Sequence, residues 1–520
     1  MPNYFTGIDV STQSCKIVII DSQKKTLEYI GKVNYDTDLP HYNTENGVIN
    51  TNIPGVSESN PLMWIEAVDA VFQKAMDSGF PMAEIKAISV SGQQHGLVAI
   101  DSEGHLARPM SKLWNDFSTQ EECDLLTEKI GGKDKMIAEI GNTQRTGYTA
   151  AKIYHMFRNE KLNYENSRIL FLVHNYVNWY LTGGVAVMEP GDTSGTALWN
   201  PVKQDWSLDL ISCIDPSLKN KLPVVRPSTE PIGNISDNLL ERFGFSSDCM
   251  IDAGSGDNMY GAIGTGNVKP GIVTVSLGTS GTAYTFMEEP FVDPEGEIAS
   301  FCDSTGNYLP LLCVSNLANG FDEFCRINDI SHHQFDKLID QTEPGNNGRV
   351  LIPWYEGERT PDIPNATPLY FGFTLDDFNQ KTLSRSIIEG HLLNLYSGFK
   401  SLPVVPKQIF LTGGLSQSPA WCQTIADIFS AETTPVTGEG VALGAAIHAC
   451  WVWQKESGEN TTINEICDGF ITYNHNLIKT PRPEYKNTYD KLKILYQSLS
   501  SRIQGLEGDN PFKLYSALKI

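Results

Sequence analysis

Two short turns rich in hydroxyl groups carry the residues best suited to chemistry. The first, Asp9-Val10-Ser11-Thr12-Gln13-Ser14, lies between apolar β-type runs at 5–8 and 15–19. The second, Gly278-Thr279-Ser280-Gly281, lies between runs at 272–277 and 282–284. Successive backbone N–H groups in a tight turn form a concavity that binds anions, and hydroxyls add further donors. Neither turn reads G-x-x-x-x-G-K-[ST] or opens a helix, so neither is a P-loop. Asp9 offers the hard oxygens that Mg²⁺ prefers, whereas the second copy has Ser276 at the equivalent place. Either turn alone would serve equally well as an ordinary hairpin. Two copies with matching strand pairs point to two related lobes that grip a polyphosphate.

Three further clusters could act on a second substrate or on a nucleotide. Asp257, in Gly254-Ser255-Gly256-Asp257-Asn258, is a carboxylate among small residues that let a ligand approach closely. Such a group can accept a hydroxyl proton during phosphoryl transfer, though Gly/Asp/Asn runs are also common turn chemistry. Gln93-Gln94-His95 follows a predicted strand and carries the amides and imidazole that hydrogen-bond sugar hydroxyls; a polar turn satisfying its own backbone is the alternative. Gly413-Gly414-Leu415-Ser416 lies between a strand and a helix, where a nucleotide can approach the backbone. It lacks the G-x-G-x-x-G pattern of dinucleotide sites.

The elements that must position these groups alternate. The pattern predicts a hairpin over 4–20, a helix over 63–78 stopped by Gly79, strands over 85–90 and 97–100, and mostly helix over 119–181. It continues with a strand at 224–225, a helix at 237–243, a strand at 250–253 and the second hairpin. A strand at 408–412, helices at 421–429 and 440–450, and a single charged helix from Tyr485 onward complete it. Residues 34–61, polar and without Lys or Arg, read as a long excursion. The alternation is that of an α/β protein.

At 520 residues the chain exceeds a single core. A net charge of −23 argues against a nucleic-acid binder, which needs a basic surface. Ten cysteines show no C-x-x-C or zinc spacing, as expected of reduced thiols. No run of 18 apolar residues is present, and the first strand follows Met1 too closely for a secretory leader. A cytoplasmic protein with no membrane partner is expected.

In order along the chain, GIDVSTQSCK, SGQQHG, LWND, TGYTAAK, YVNWYLTG, GDTSG, GSGDN, SLGTSG, GERTP, GGLSQSPAWCQTIAD and ALGAA resemble the FGGY carbohydrate kinases over about residues 5–449. The likeness is greatest to eukaryotic-type members acting on D-xylulose. It implies an actin-like fold of two ribonuclease-H-like lobes, 1–264 and 265–520, with an interlobe cleft. It implies ATP and Mg²⁺, transfer of the γ-phosphoryl group to the C5 hydroxyl of D-xylulose, and a homodimer as a common family state. By motif, Asp257 is the expected base, and Asn258, Gln94 and His95 line the sugar. Asp9 and Asp257 serve the metal. Thr12, Gln13, Thr279 and Ser280 contact phosphates, and Gly413, Gly414 and Gln417 border the adenosine. The sequence departs from the family pattern at Ser11, Gln94, Ala151, His155, Asn175, Gly191 and Leu415, which bears on substrate choice. A family kinase for another ketose or polyol is the nearest alternative. Retention of Asp257 and Asp9 argues against a non-catalytic sugar or nucleotide binder, and the sugar-side motifs argue against a chaperone-type actin-like ATPase.

Overall fold

The computed structural model describes residues 3–518. The chain forms two compact units. The first comprises 1–269, 286–309 and 438–471; the second comprises 270–285, 310–437 and 472–520. The first unit thus continues to 269 and takes up two segments from the later half of the sequence, where one division after residue 264 is expected.

The doubled hairpin is part of a doubled sheet. In the first unit, Tyr4–Val10 pairs antiparallel with Ser14–Asp21, which pairs antiparallel with Thr26–Asn34. On its other side Tyr4–Val10 runs parallel to Ile85–Gly92, which is parallel to Met250–Asp252, and Pro231–Asn234 closes that edge antiparallel. In the second unit, Ile272–Leu277 pairs antiparallel with Gly281–Thr285, and that strand with Tyr308–Val314. Its other neighbour, Gln408–Thr412, is parallel, as is Glu432–Thr437 beyond it, and Thr472–Tyr473 closes the edge antiparallel. Over these six strands, order and direction are the same in both. Asp9 stands opposite Lys16 and beside Ser91, and Ser276 stands opposite Thr282 and beside Thr412. The central strands are covered on both faces, which is why they read as continuous apolar runs rather than alternating ones.

The helix Pro61–Asp77 has Asn60 as N-cap, accepting from the Leu62 N–H, and buries Trp64, Val68, Val71 and Phe72. The helix Gly440–Glu456 packs within the first unit through backbone-close contacts. A Cβ on Gly7 would lie 2.0 Å from the Ala442 carbonyl oxygen, and one on Gly444 would lie 1.9 Å from that of Tyr260. His448 on the same helix faces Asp252 Oδ2 at 2.8 Å and the Ser304 carbonyl at 2.8 Å. Because backbone cannot give way as a flexible side chain does, Gly444→Ala is expected to cost about 1–3 kcal/mol. Urea unfolding should show a lower midpoint with an unchanged slope; an unchanged midpoint would mean that the crossing tolerates a methyl group.

Two sequence expectations change. The tail is not one helix: Lys486–Ile503 ends before Gly505, and Pro511–Ser516 starts anew with Asn510 as N-cap. The excursion is a small built element. Its strands Thr44–Glu45, Val48–Ile49 and Glu58–Ser59 form a sheet with Ser111–Lys112. Asp36 ties it together, accepting from Thr44 Oγ1 and from the N–H groups of Asn46 and Gly47. The ten cysteines are unpaired, and among the described residues no helix is long and apolar enough to cross a membrane.

Candidate active site

The first turn is held rigidly. Ser11 donates from both its N–H and its Oγ to the Ser14 carbonyl, at 3.0 and 2.8 Å. Ser11 therefore staples a turn that requires no glycine there. The excursion braces the turn from outside. The Tyr35 N–H donates to the Gln13 carbonyl (3.1 Å) and the Tyr35 hydroxyl to that of Ser11 (3.2 Å). Gly47, at φ +76°, lies so close that a Cβ would sit 1.8 Å from the Thr12 carbonyl oxygen. The Thr12 hydroxyl donates to Gln93 Oε1 and accepts from Trp114 Nε1. Its side chain is thus fixed, while Gln13 stays exposed.

Asp257 is the first residue of the helix Asp257–Thr265, entered from the two-residue strand Ser255–Gly256. From it a relay of polar side chains runs inward. Asn258 Nδ2 faces Asp257 Oδ1 (3.2 Å) and donates to Gln94 Oε1 (2.7 Å). Gln94 Nε2 donates to Asp192 Oδ1 (3.3 Å), and His174 Nδ1 lies 2.9 Å from Asp192 Oδ2. Asn175 Nδ2 approaches His174 Nε2 at 2.7 Å. An amide nitrogen only donates, so Nε2 is the acceptor and Nδ1 carries the proton. This gives the departure at Asn175 a physical role, since an ionised Asp could only accept. Gly256 leaves room for the relay: a Cβ there would lie 2.7 Å from Gln94 Cγ.

His95 adopts φ +66°, a left-handed conformation that costs a non-glycine residue of order 1–2 kcal/mol and is retained where surroundings impose it. Its carbonyl accepts from Lys152 Nζ (2.7 Å) and Thr149 Oγ1 (3.2 Å), both on the helix Thr149–Asn159. Its ring lies 4.7 Å from that of Tyr148. Gly195 makes space for it, because a Cβ there would come within 2.7 Å of His95 Cε1. Lys152 is fully buried, and burial lowers its pKa to about 7 against the upward pull of Asp116.

Two carboxylates of the site are shifted upward. Burial raises Asp257 to about 8, and the negative charges of Asp9 and Asp192 add to the rise; N–H groups at the helix start oppose it but do not win. Burial raises Asp9 to about 6, with the Ser91 hydroxyl and the Lys16 ammonium pulling the other way. Asp9 Oδ1 is buried and without a hydrogen-bond partner. An orphaned hard oxygen, coupled to a second carboxylate, fits a divalent cation that takes one or two protein ligands and fills the rest of its shell with water and phosphate. Among the described residues no group of three or more His, Cys, Asp and Glu is placed to hold a metal unaided.

Asp9, Thr12, Gln13, Gln94, His95, Asp257 and Asn258 all belong to the first unit, and Thr279, Ser280, Gly413, Gly414 and Gln417 to the second. In the second unit Thr279 is exposed and Ser280 half-buried. Gly413, at φ +84°, has no room for a side chain, as a Cβ would lie 2.5 Å from the Leu277 carbonyl oxygen. Gly414 is open, and Gln417 is exposed, with its Nε2 3.2 Å from Ser416 Oγ. Asp192, His174, Lys152 and Trp114 are site groups to which residue reasoning assigns no role. The legible signal for Lys152 is a charge three residues after Thr149 and beside Ile153, on the helix face that is buried.

Residues 4–264 match the N-terminal domain, and 273–453 the C-terminal domain, of the FGGY family of carbohydrate kinases. The chain is 33% identical to a xylulose kinase of Haemophilus influenzae, covering 94% of this chain and 98% of that protein. It is 28% identical to a xylulose kinase of Rattus norvegicus, covering 96% of each. The crystal structure of ligand-bound xylulose kinase from Lactobacillus acidophilus superposes with a TM-score of 0.86 at 23% identity, over 96% of this chain and 98% of that one, and shows the same fold.

Proposed function

The chain belongs to the FGGY family of carbohydrate kinases, and on that premise we propose that it transfers the γ-phosphoryl group of ATP to the C5 hydroxyl of D-xylulose. The observation that carries the reading is the carboxylate of Asp257, raised to about 8 at the start of a helix and tied through Asn258 to Gln94. A base poised near the working pH takes a hydroxyl proton efficiently.

Asp257 accepts the proton of the C5 hydroxyl as that oxygen bonds to the γ-phosphorus. The bond from phosphorus to the β–γ bridging oxygen breaks and ADP leaves. Positioning supplies most of the rate. Gln94, His95 and Asn258 orient the sugar, with His95 fixed in place through its carbonyl. Thr12, Gln13, Thr279 and Ser280 contact phosphates, and Gly413, Gly414 and Gln417 border the adenosine. Asp9, with Asp257 sharing, would hold Mg²⁺, which would neutralise phosphate charge there. Ten unpaired thiols suit a reducing cytoplasm.

The identities to xylulose kinases over nearly the whole chain support D-xylulose. Gln94, a departure from the family pattern held by Asn258 and Asp192, is the residue expected to bear on sugar choice. A sugar panel with coupled ADP detection tests this. D-Xylulose should give the highest kcat/KM, above L-xylulose, ribulose and glycerol. A preference of tenfold or more for another acceptor would move the assignment to that sugar.

A further inference from the structure

One stretch of the sequence, Gly357-Glu358-Arg359-Thr360-Pro361, has no role in the chemistry above. Glu358 is 3% exposed. Both of its oxygens are fully engaged by N–H donors. Oε1 accepts from the backbone N–H groups of Ser315 (2.5 Å) and Arg359 (2.7 Å). Oε2 accepts from Asn316 Nδ2 (3.1 Å) and Asn394 Nδ2 (2.8 Å). Asn316 Nδ2 also donates to the Gly357 carbonyl at 2.8 Å. A buried carboxylate is retained only when its lone pairs are satisfied in this way.

The residues it fixes lead directly to the second phosphate turn. Ser315 and Asn316 follow the strand Tyr308–Val314. The next two N–H groups, of Leu317 and Ala318, donate to the carbonyls of the turn itself: Leu317 to Thr279 at 3.1 Å, and Ala318 to Gly278 at 3.1 Å and to Thr279 at 3.2 Å. Packing reinforces the link, because Gly281 sits so close to Val314 and Leu317 that a Cβ would meet each at 3.0 Å. Four successive residues, 315–318, thus run from the Glu358 carboxylate to the carbonyls whose orientation sets where the N–H groups of Thr279 and Ser280 point. In the first unit the same task falls to different parts, Tyr35 and Gly47 of the excursion.

We propose that Glu358 is a positioning residue for ATP: by anchoring residues 315–318 it holds the Gly278–Gly281 turn in its phosphate-binding shape. The proposal rests on the reading of that turn as a phosphate contact.

The test measures KM for ATP and for D-xylulose separately in Glu358→Gln, Glu358→Asp, Thr279→Val and Ser280→Ala, with circular dichroism and thermal melting to verify folding. In Glu358→Gln an NH₂ group replaces one acceptor and confronts N–H donors; in Glu358→Asp the carboxylate is retained but too short to reach all four. The KM for ATP should rise about tenfold or more in Glu358→Gln, and by less in Glu358→Asp, with the KM for D-xylulose within about twofold of the parent. Thr279→Val and Ser280→Ala should raise the KM for ATP in the same sense. If the turn variants raise it and folded Glu358→Gln does not, the positioning role is wrong and the phosphate turn stands. If none of the four does, the reading of the turn itself is wrong. Equal rises in both KM values would also overturn the proposal, as that is the mark of general loosening. Should Glu358→Gln fail to fold, Glu358→Asp decides by the same split.

Discussion

Asp257→Asn will lower kcat for sugar phosphorylation by about 10²–10⁴-fold, the range that a positioned general base contributes, while leaving a folded protein. The amide keeps the shape of the side chain and an oxygen to face Asn258 Nδ2, so the relay through Gln94 to Asp192 survives. What disappears is the proton acceptor. The same substitution should stabilise the protein. A carboxyl raised from 3.8 to about 8 binds its proton more tightly when folded than when unfolded. Between those values the native state holds more protons than the unfolded state, so stability falls as pH rises and the loss is complete above about pH 8. Below about pH 4 both states are protonated and no penalty exists. In protein free of nucleotide and divalent cation, Asp257→Asn should therefore melt above the parent at pH 7, with the gap closing as pH falls toward 4. An inactive variant that is less stable than the parent at pH 7 would mean that Asp257 supports the fold rather than sitting in it at a cost.

Asp9→Asn is the second large effect. It should reduce kcat by about 10²-fold or more, because a phosphate-bound cation supplies several kcal/mol of charge stabilisation. It should also weaken Mn²⁺ binding in the presence of ADP, measured by calorimetry, by about tenfold or more, since an amide oxygen replaces one of the one or two carboxylates that hold such an ion. Burial of the Asp9 charge outweighs the pull of the Ser91 hydroxyl and the Lys16 ammonium, so neither the sheet nor the turn stapled by Ser11 should suffer. Unchanged Mn²⁺ affinity with reduced kcat would assign Asp9 to another task.

Both substitutions act on residues that could be found by reading the chain, and the reason is physical. Asp9 and Asp257 stand where a strand ends in a turn or helix start, and such junctions are written locally: apolar run, small residues, carboxylate. The hairpins 4–21 and 272–285, the helix at 237–243 and the strand at 408–412 were legible for the same reason. The relay beyond Asn258 was not, since Gln94, Asp192 and His174 come together only through tertiary packing. Lys152 is hidden by its type, as a buried lysine makes sense only once its carbonyl partner at His95 is known. The helix Gly440–Glu456 is rich in Gly and Ala and buried around most of its circumference. It therefore shows no apolar stripe to indicate which unit it covers, and the close approaches at Gly7 and Gly444 decide that. The excursion escapes sequence reading because its two-residue strands are too short to alternate. The break in the tail, by contrast, was readable in Gly505, Gly508 and Asn510-Pro511, which stop one helix and cap the next.

The central claim is a phosphoryl transfer to a sugar with Asp257 as the base, and ³¹P NMR of a reaction containing ATP, Mg²⁺ and D-xylulose tests it most directly. The account predicts a new phosphomonoester coupled to the C5 protons of the sugar, formed in step with ADP, and its absence when Asp257→Asn is used. Inorganic phosphate in place of a sugar phosphate, or the same sugar phosphate formed at the parental rate by Asp257→Asn, would contradict it.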